Sequence, residues 1–194
     1  MSERFILASS SPQRRALLKQ VNLQPAQIIA ADVDETPIQG EMPRKLAIRL
    51  AYNKGVEVAA RFPNDFILAA DTVVACGRRI LDKVDNADAA SEHLRLLSGR
   101  RHQVYGGVAV VTPGGTFHTR LVTTQVTFKR LNSSEIEGYL ESGEWKDKAG
   151  AYAIQGIAGA FVKRINGSCS NVVGLPLYET LALLRGSGFT GAQS

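Results

Sequence analysis

Four segments of the sequence carry polar side chains that the packing of a core does not require. The first, Ser9-Ser10-Ser11-Pro12-Gln13-Arg14-Arg15, joins a short apolar run to a helical pattern. Hydroxyls and backbone N–H groups at a helix N-terminus bind anions, and the helix dipole adds partial positive charge there. The segment therefore predicts a phosphate-binding loop, although a simple turn capped by Ser11 explains the same residues.

Two further segments supply carboxylates. Asp34 and Glu35 stand side by side in a proline-containing turn, and Asp71-Thr72 follows the continuously apolar run Phe66 to Ala70. Carboxylate oxygens suit Mg²⁺, which usually takes one or two of them from protein while phosphate and water fill its other positions. An acid that follows a buried strand also lies where open α/β sheets bind ligands. We expect Glu35 and Asp71 to bind a metal; a solvated turn and a satisfied strand-end acid are the alternatives.

The fourth group is cationic. Lys54 falls on the apolar side of its helical pattern, and Lys83 follows the apolar pair Ile80-Leu81. An inward-facing lysine needs an anionic partner, while a snorkelling lysine without a function is the alternative in each case. Together the four segments supply the acids, the cations and the anion-binding loop that metal-assisted phosphoryl transfer requires.

Other chemistries lack their residues. The sequence has no GxxxxGK[ST] phosphate loop, and its glycine pairs do not form a dinucleotide fingerprint after a strand. Cys76 and Cys169 lack metal-ligand or nucleophile motifs, which indicates free thiols. The three histidines, His93, His102 and His118, show no ligand spacing and are expected to be structural or exposed.

Composition places the chain among soluble globular proteins. Of its 194 residues, 44% are hydrophobic and 21% are charged, and no apolar run approaches the roughly 20 residues that cross a bilayer. The N-terminal apolar stretch is too short for a signal peptide, so we expect a cytoplasmic protein with no membrane partner. A net charge of +5 favours anionic partners but is also compatible with a solvated basic surface.

Periodicity predicts an α/β fold with a mixed sheet and flanking helices. The strands are expected at Phe5–Ala8, Ile28–Ala31, Phe66–Ala70 with Val73–Ala75 as an extension, Gln103–Thr112, Thr116–Phe128 and Ala160–Ile165. Helices are expected to start at Pro12, at Pro43 (ending near Arg61), after a cap at Asp85 or Asn86, after a capping box at Asn132 and Glu135, and at Leu177. A single domain is expected to span residues 1–188, followed by a flexible tail at 189–194.

Seven motifs occur in order along nearly the whole chain. They are Ala8-Ser9-Ser10-Ser11-Pro12 with Arg14, Asp34-Glu35-Thr36-Pro37, Arg49-Leu50-Ala51 to Lys54, Ala70-Asp71-Thr72-Val73-Val74, Leu97-Ser98-Gly99 with His102-Gln103-Val104, Gly150-Ala151-Tyr152-Ala153-Ile154-Gln155-Gly156, and Asn171-Val172-Val173-Gly174-Leu175-Pro176-Leu177. In this combination the sequence resembles the Maf family of nucleotide pyrophosphatases. The resemblance implies two lobes around a deep cleft, a homodimer, and release of pyrophosphate and a nucleoside monophosphate with Mg²⁺ or Mn²⁺.

On the matching positions, the residues expected to act in catalysis are Glu35, Lys54, Asp71 and Lys83, with Glu35 and Asp71 also holding the metal. The residues expected to bind substrate are Ser9, Gln13, Arg14, Thr72 and Gln155. Asp71 is the expected acceptor of the proton from the attacking water, and the lysines with Arg14 are expected to neutralise the departing pyrophosphate.

Substrate choice rests on two of these positions. Thr72 and Gln155 resemble the branch of the family that acts on dTTP and UTP, with modified pyrimidine nucleotides as house-cleaning substrates, whereas the 7-methyl-GTP branch has Asp-Gln and Ser-Glu-Gly counterparts. The sequence departs from the pyrimidine branch at Gln13, where arginine is usual, and at Val84, where proline is usual. A 7-methyl-GTP pyrophosphatase is therefore the alternative within the family.

Two alternatives come from other classes. One is a basic nucleic-acid-binding module with little catalysis, but aromatic residues make up only 7% of the chain and none stud a basic strand. The other is a septum-formation protein that uses the fold for interaction, a role associated with the family. We expect a nucleoside triphosphate as the partner of the site and no nucleic acid.

Overall fold

A mixed seven-stranded sheet organises the computed structural model, which describes residues 4–191. Its strands are β1 (Phe5–Ala8), β2 (Gln27–Ile28), β3 (Phe66–Cys76), β4 (Arg79–Ile80), β5 (Arg101–Val111), β6 (Phe117–Phe128) and β7 (Val162–Asn166). They lie in the order β2-β1-β3-β5-β6-β7, with β4 paired to β3. β1 is parallel to β2 and β3, and the other pairs are antiparallel. The predicted mixed sheet is confirmed.

Helices cover both faces of the sheet. They are α1 (Pro12–Gln20), α2 (Pro43–Arg61), α3 (Ala87–Leu97), α4 (Ser133–Ser142), α5 (Cys169–Val173) and α6 (Leu177–Gly186). Two 3₁₀ segments, Ala149–Ala151 and Ile157–Phe161, lie between α4 and β7. The short helix α5 and the strand β4 were not predicted from the sequence.

Local capping signals fix several helix ends. The Ser11 side chain accepts a hydrogen bond from the Arg14 N–H, with Pro12 in the first turn, so α1 begins where predicted. At the start of α4, Asn132 and Glu135 form the predicted reciprocal capping box. Asn86, rather than Asp85, caps α3.

Two separate core regions share one face of the sheet. Leu68 and Ala70 of β3 pack with residues of α1 and α6, whereas Val74 packs with residues of α3 and α4. These three side chains point to the same face because alternate residues of a strand do so. Thr72 lies between them on that face, so the gap between the two groups of helices opens above the middle of β3.

Helix α2 covers the opposite face very closely. A Cβ added at Gly107 of β5 would lie 2.0 Å from the backbone oxygen of Ala47 in α2. Leu50, Lys54 and Val58 of α2 are all buried, which confirms the predicted inward face. The close approach brings Lys54 down to the sheet.

Strand β3 differs from its prediction. It runs unbroken from Phe66 to Cys76, and Asp71 lies in its middle, opposite Gly107. The expectation that Asp71 follows the strand is therefore wrong, because ladder pairing with β5 continues through the polar residues. The parallel neighbour β1 nevertheless ends at Ala8, level with Ala69, so Asp71 does extend beyond the carboxyl end of β1.

Two shorter strands are displaced. Strand β2 is Gln27–Ile28 rather than Ile28–Ala31, because its position is set by pairing with Ile6 and Leu7 of β1. Strand β7 begins at Val162, after a 3₁₀ segment that the apolar pattern did not reveal. Both shifts reflect pairing between distant segments, which a local pattern does not encode.

The described chain stays packed beyond helix α6. The Phe189 side chain is 8% exposed, and its ring makes edge contacts with Phe5 and Phe66 at centroid distances of 5.6 and 5.3 Å. Packing thus extends past the expected domain boundary at residue 188. The remainder of the expected tail, residues 192–194, lies outside the described residues.

No helix between residues 4 and 191 has both the length and the apolar character to cross a membrane. Within the same range, Cys76 and Cys169 are free thiols, as expected.

Candidate active site

The centre of the candidate site is a lysine held by two carboxylates. The Lys54 Nζ donates to Asp71 Oδ1 at 2.6 Å and lies 2.5 Å from Glu35 Oε1. Lys54 and Asp71 are buried, whereas half of the Glu35 side chain is exposed. Segments far apart in the chain therefore place two acids on one ammonium group, at the boundary between the core and the solvent.

The loop that carries Glu35 is fixed by its neighbours. Asp34 accepts a hydrogen bond from the Thr36 N–H at 2.9 Å, so this acid stabilises the turn while Glu35 reaches Lys54. Arg49 of α2 donates to the Thr36 carbonyl at 3.0 Å and to both carboxylate oxygens of Glu41 at 2.8 Å. The two adjacent carboxylates thus have different roles, which their sequence alone did not separate.

Arg14 ties three segments of the site together. Its Nε donates to the Gly174 carbonyl at 3.0 Å, its Nη1 to Ser9 Oγ at 2.8 Å, and its Nη2 to Thr72 Oγ1 at 3.3 Å. The guanidinium is buried, and each of its nitrogens already donates to a protein oxygen. Arg14 therefore holds the loop after β1 against β3 and against the turn after α5. Its predicted contact with phosphate stays a prediction.

Two groups at the centre, Glu35 and Arg14, have pKa values below their ordinary values. Burial opposes ionisation of Glu35, but its hydrogen bond to Lys54 and the nearby charges of Lys83 and Arg14 lower its pKa below the ordinary value. Burial lowers the pKa of the Arg14 guanidinium, and the negative charges of Asp71 and Glu35 act in the opposite direction. Glu35 is therefore anionic at neutral pH, which binding of a metal would require.

A cleft of about 760 Å³ opens over this centre. All nine residues predicted from the sequence line it: Ser9, Gln13, Arg14, Glu35, Lys54, Asp71, Thr72, Lys83 and Gln155. Gln13 accepts a hydrogen bond from the Ser11 hydroxyl at 3.1 Å, and Gln155 is exposed on the cleft wall. The structure brings these positions together, while the role of each stays a prediction.

The donor set at the centre fits a hard divalent metal. Glu35 and Asp71 each bring a carboxylate oxygen to the same ammonium, so two hard oxygen donors converge on one point of the site. No cluster of three or more histidine, cysteine or acidic side chains suited to a metal occurs within residues 4–191. Mg²⁺ usually takes one or two carboxylates from protein and completes its shell with phosphate and water.

The cleft is also lined by residues to which the sequence assigned no role, among them three charged residues and a tyrosine. Asp82, Asp147, Lys148 and Tyr152 line the same cavity. The sequence did contain a feature that could have identified three of them. The dipeptide Asp-Lys occurs at both 82–83 and 147–148, and both copies line the cleft. The second copy lies just before the Gly150 to Gly156 motif, in a segment for which the local pattern predicts no regular element.

Tyr152 is held from behind by a buried histidine. A hydrogen bond of 2.9 Å joins His102 Nε2 and the Tyr152 hydroxyl, and His102 also packs edge-on against Phe128. Burial lowers the pKa of His102 to about 4. This histidine is structural, as expected, and it supports the wall on which Gln155 lies.

Comparison with known proteins agrees with the motifs. Residues 4–187 match the family model described as "Maf-like protein". A dTTP/UTP pyrophosphatase of Mesorhizobium japonicum is 52% identical, with 99% of this chain and 95% of that protein aligned. A dTTP/UTP pyrophosphatase of Rhodopseudomonas palustris is 55% identical over 96% of this chain and 93% of that protein. Among solved structures, the Staphylococcus aureus Ham1 protein has a TM-score of 0.46 at 16% identity, covering 65% of this chain and 72% of that one.

Proposed function

This chain belongs to the Maf family, and from that premise we propose that it is a nucleoside triphosphate pyrophosphatase that hydrolyses dTTP and UTP to the monophosphate and pyrophosphate. The observation that carries the proposal is the contact of Glu35 and Asp71 with the Lys54 ammonium at the base of the cleft. The 52–55% identical relatives named dTTP/UTP pyrophosphatase support the choice of substrate. The 7-methyl-GTP alternative has no comparable support among these relatives.

The buried acid is the group best placed to take a proton. Asp71 is 7% exposed and reaches the cleft past the end of β1, where a water molecule beside the α phosphorus would meet it. Lys54 holds the Asp71 carboxylate by a hydrogen bond of 2.6 Å and so fixes its direction. We assign Asp71 the proton from the attacking water and Lys54 the positioning of both acids.

The remaining charged groups act on the triphosphate. A divalent metal, Mg²⁺ or Mn²⁺, held by Glu35 and Asp71 would neutralise charge on the phosphate oxygens. Lys83 stabilises negative charge on the departing pyrophosphate, while the Ser9 hydroxyl and the backbone N–H groups at the start of α1 bind phosphate oxygens. Arg14 fixes the orientation of Ser9 and Thr72.

The base pocket is assigned to the part of the cleft that Gln155 lines. The side-chain amide of Gln155 both donates and accepts hydrogen bonds, as the O4/N3 edge of thymine or uracil requires. Thr72 and Gln13 also line the cleft, and we assign them to the same base pocket.

The test is hydrolysis of a panel of nucleoside triphosphates with Mg²⁺ or Mn²⁺, including dTTP, UTP, CTP, GTP and 7-methyl-GTP. We expect dTTP and UTP to give pyrophosphate and monophosphate, and chelation of the metal to abolish turnover. In water enriched in ¹⁸O, attack at the α phosphorus places the label in the monophosphate, whereas attack at the β phosphorus places it in pyrophosphate.

Three results would contradict the proposal. Release of orthophosphate instead of pyrophosphate would contradict the proposed reaction. Preferred hydrolysis of 7-methyl-GTP would contradict the proposed substrate, and full activity in the presence of chelator would contradict the requirement for a metal. Salt-sensitive oligonucleotide binding without hydrolysis would favour the nucleic-acid-binding alternative.

Assembly and location follow the same premise. We propose a cytoplasmic homodimer without nucleic-acid or membrane partners; the family resemblance supports the dimer, and the two free thiols suit a reducing compartment. Light scattering coupled to size exclusion measures the mass of the assembly, and a mass near 20.9 kDa would contradict the dimer.

A further inference from the structure

Some cations of the cleft are already bound to oxygen atoms of the protein, and others form no ion pair with a described residue. Eight charged residues line the cavity, and they divide into four cations and four acids. The Lys54 ammonium already contacts two carboxylates, and each Arg14 guanidinium nitrogen donates to a protein oxygen. The cations that remain are Lys83 and Lys148, neither of which forms an ion pair with a described acidic residue.

Lys148 lies in a strained backbone segment. Asp147 and Ala151, neither of them glycine, have φ values of 57°, and Gly150 between them has φ 72°. Such conformations are costly for residues with side chains and persist where the surrounding structure imposes them, which is common at functional sites. The strain therefore marks residues 147–151 as a segment held in place for a reason other than local preference.

The contacts that hold the segment also join it to Lys83. The Gly150 N–H donates to the Leu81 carbonyl at 2.8 Å, and the Leu81 N–H donates to the Val74 carbonyl at 2.8 Å. A Cβ at position 150 would meet Val74 Cγ1 at 2.8 Å, so only glycine fits against β3. Lys148 and Lys83 each stand two residues from the Gly150–Leu81 hydrogen bond, on neighbouring parts of one wall.

The Lys148 side chain is available to a ligand. Lys148 is half-buried and lines the cleft, and its ammonium has one described partner, the Lys146 backbone carbonyl at 3.1 Å. A lysine ammonium has three N–H donors, so two remain for other acceptors. A polyanion that enters the cleft meets these donors together with those of Lys83.

We propose that Lys148 is a substrate-binding residue whose ammonium contacts the non-bridging oxygens of the triphosphate, so that Lys83 and Lys148 form a paired phosphate contact on one wall of the cleft. The proposal rests on the proposed function and names a group in that site which the sequence motifs did not assign. It also gives the two Asp-Lys dipeptides a common purpose, because each places a lysine on the same wall.

Binding measurements test the pair without requiring turnover. The variant is Lys148→Gln, and the matched control is Lys146→Gln, an exposed lysine two residues away that does not line the cleft. The probes, each with Mg²⁺, are inorganic tripolyphosphate, α,β-methylene-dTTP and dTMP in titration calorimetry. We expect K148Q to weaken both triphosphate probes by about tenfold, as loss of a charge-assisted hydrogen bond does, and dTMP by a much smaller factor.

A charge-preserving variant separates binding from structure. K148R should keep more of the triphosphate affinity than K148Q, and K146Q should bind all three probes as the parent protein does. Unchanged triphosphate affinity in K148Q, an equal loss for dTMP, or equal losses in K148Q and K148R would each overturn the proposal.

Tripolyphosphate keeps this test distinct from that of the substrate. If the parent protein bound tripolyphosphate but not α,β-methylene-dTTP, the proposed pyrimidine substrate would fail. The comparison of K148Q with the parent on tripolyphosphate would still decide the role of Lys148.

Discussion

Lys54 is a buried lysine whose ammonium contacts the carboxylates of Glu35 and Asp71. Two carboxylates share one ammonium where the cleft meets the core. A buried charge that loses its partner is costly, so removal of Lys54 or Asp71 would leave the other buried group without its ion pair. The two carboxylates are the groups that a metal cation or a proton from water would meet at this centre.

Asp71→Asn separates charge from shape at this centre. The amide keeps the volume of the side chain but cannot accept a proton from water, so we expect kcat to fall by about a hundredfold or more. The measurement is pyrophosphate release from dTTP at saturating Mg²⁺.

Asp65→Asn is the matched control for that substitution. Asp65 immediately precedes the same strand, and its one ion pair within residues 4–191 is with the exposed Arg4 at 3.4 Å, so its loss should leave turnover near normal. Near-normal turnover in D71N would contradict the assignment of Asp71 as the proton acceptor.

Among the elements, strand β5 positions the site on both of its faces. Through Gly107 it admits α2 so closely that Lys54 reaches Asp71, and through His102 it holds Tyr152 on the cleft wall. Substitutions at these two positions therefore probe how the scaffold orients the chemistry.

Gly107→Ala should disrupt the contact between β5 and α2. The added Cβ would overlap the Ala47 carbonyl, which is backbone and cannot rotate away, so we expect a loss of at least about 2 kcal/mol in the free energy of unfolding. Urea denaturation measures the loss.

Gly138→Ala provides the contrast, because a Cβ at this exposed position of α4 meets nothing within 4 Å. Alanine is the better helix former, so this variant should gain up to about 1 kcal/mol. Similar effects of both substitutions would show that the close approach at Gly107 does not limit stability.

His102 should impose a pH dependence on stability. Its folded pKa is about 4, against an ordinary value of 6.5, so the unfolded chain binds the proton first as pH falls. The stabilisation is complete above pH 6.5 and is lost as pH falls to about 4, by an amount on the order of 3 kcal/mol.

The His102→Gln variant tests this dependence, since glutamine can still bond to the Tyr152 hydroxyl but does not titrate. Denaturation curves between pH 4 and 8 should show a flatter profile for H102Q than for the parent protein. Parallel profiles would mean that His102 does not carry the pH dependence.

The limits of sequence-based prediction lie at this scale. The starts of α1 and α4 were predicted because Ser11, Asn132 and Glu135 cap their own helices through contacts three residues away. Strand β2 was misplaced because its register depends on β1, more than twenty residues earlier in the chain. Asp71 was expected after a strand because a polar residue interrupts the apolar pattern there. The strand continues through Asp71 because it pairs with β5, and this pairing is not visible in the local sequence.

The candidate site was more predictable than the strand boundaries. Acids, lysines and hydroxyls that packing does not explain pointed to Ser9, Glu35, Lys54 and Asp71, and these side chains meet in one cleft. Lys148 escaped prediction because its role depends on a strained turn and on which other cations are already paired.

Across the whole molecule, the C-terminal segment closes the core beneath β1 and β3. Phe189→Ala should remove the ring contacts with Phe5 and Phe66 and cost about 3 kcal/mol in the free energy of unfolding. Tyr178→Ala is the aromatic control, because its side chain is 81% exposed and its loss should change stability by less than about 0.5 kcal/mol. Equal effects in urea denaturation would mean that the segment after α6 does not contribute to the core.

The cleft is assembled from segments at both ends of the chain and in its middle, so a ligand that spans it must link them all. A ligand that binds only the folded state raises the free energy of unfolding by about 2.7 kcal/mol at a concentration of 100 Kd. We expect α,β-methylene-dTTP with Mg²⁺ to produce this increase in urea denaturation. Hydrogen exchange should slow together in the loop after β1, in the middle of β3 and in residues 147–155, because all three line the cleft. Omission of Mg²⁺ is the control and should reduce both effects, and protection confined to one of these segments would show that the nucleotide does not bridge the two core regions.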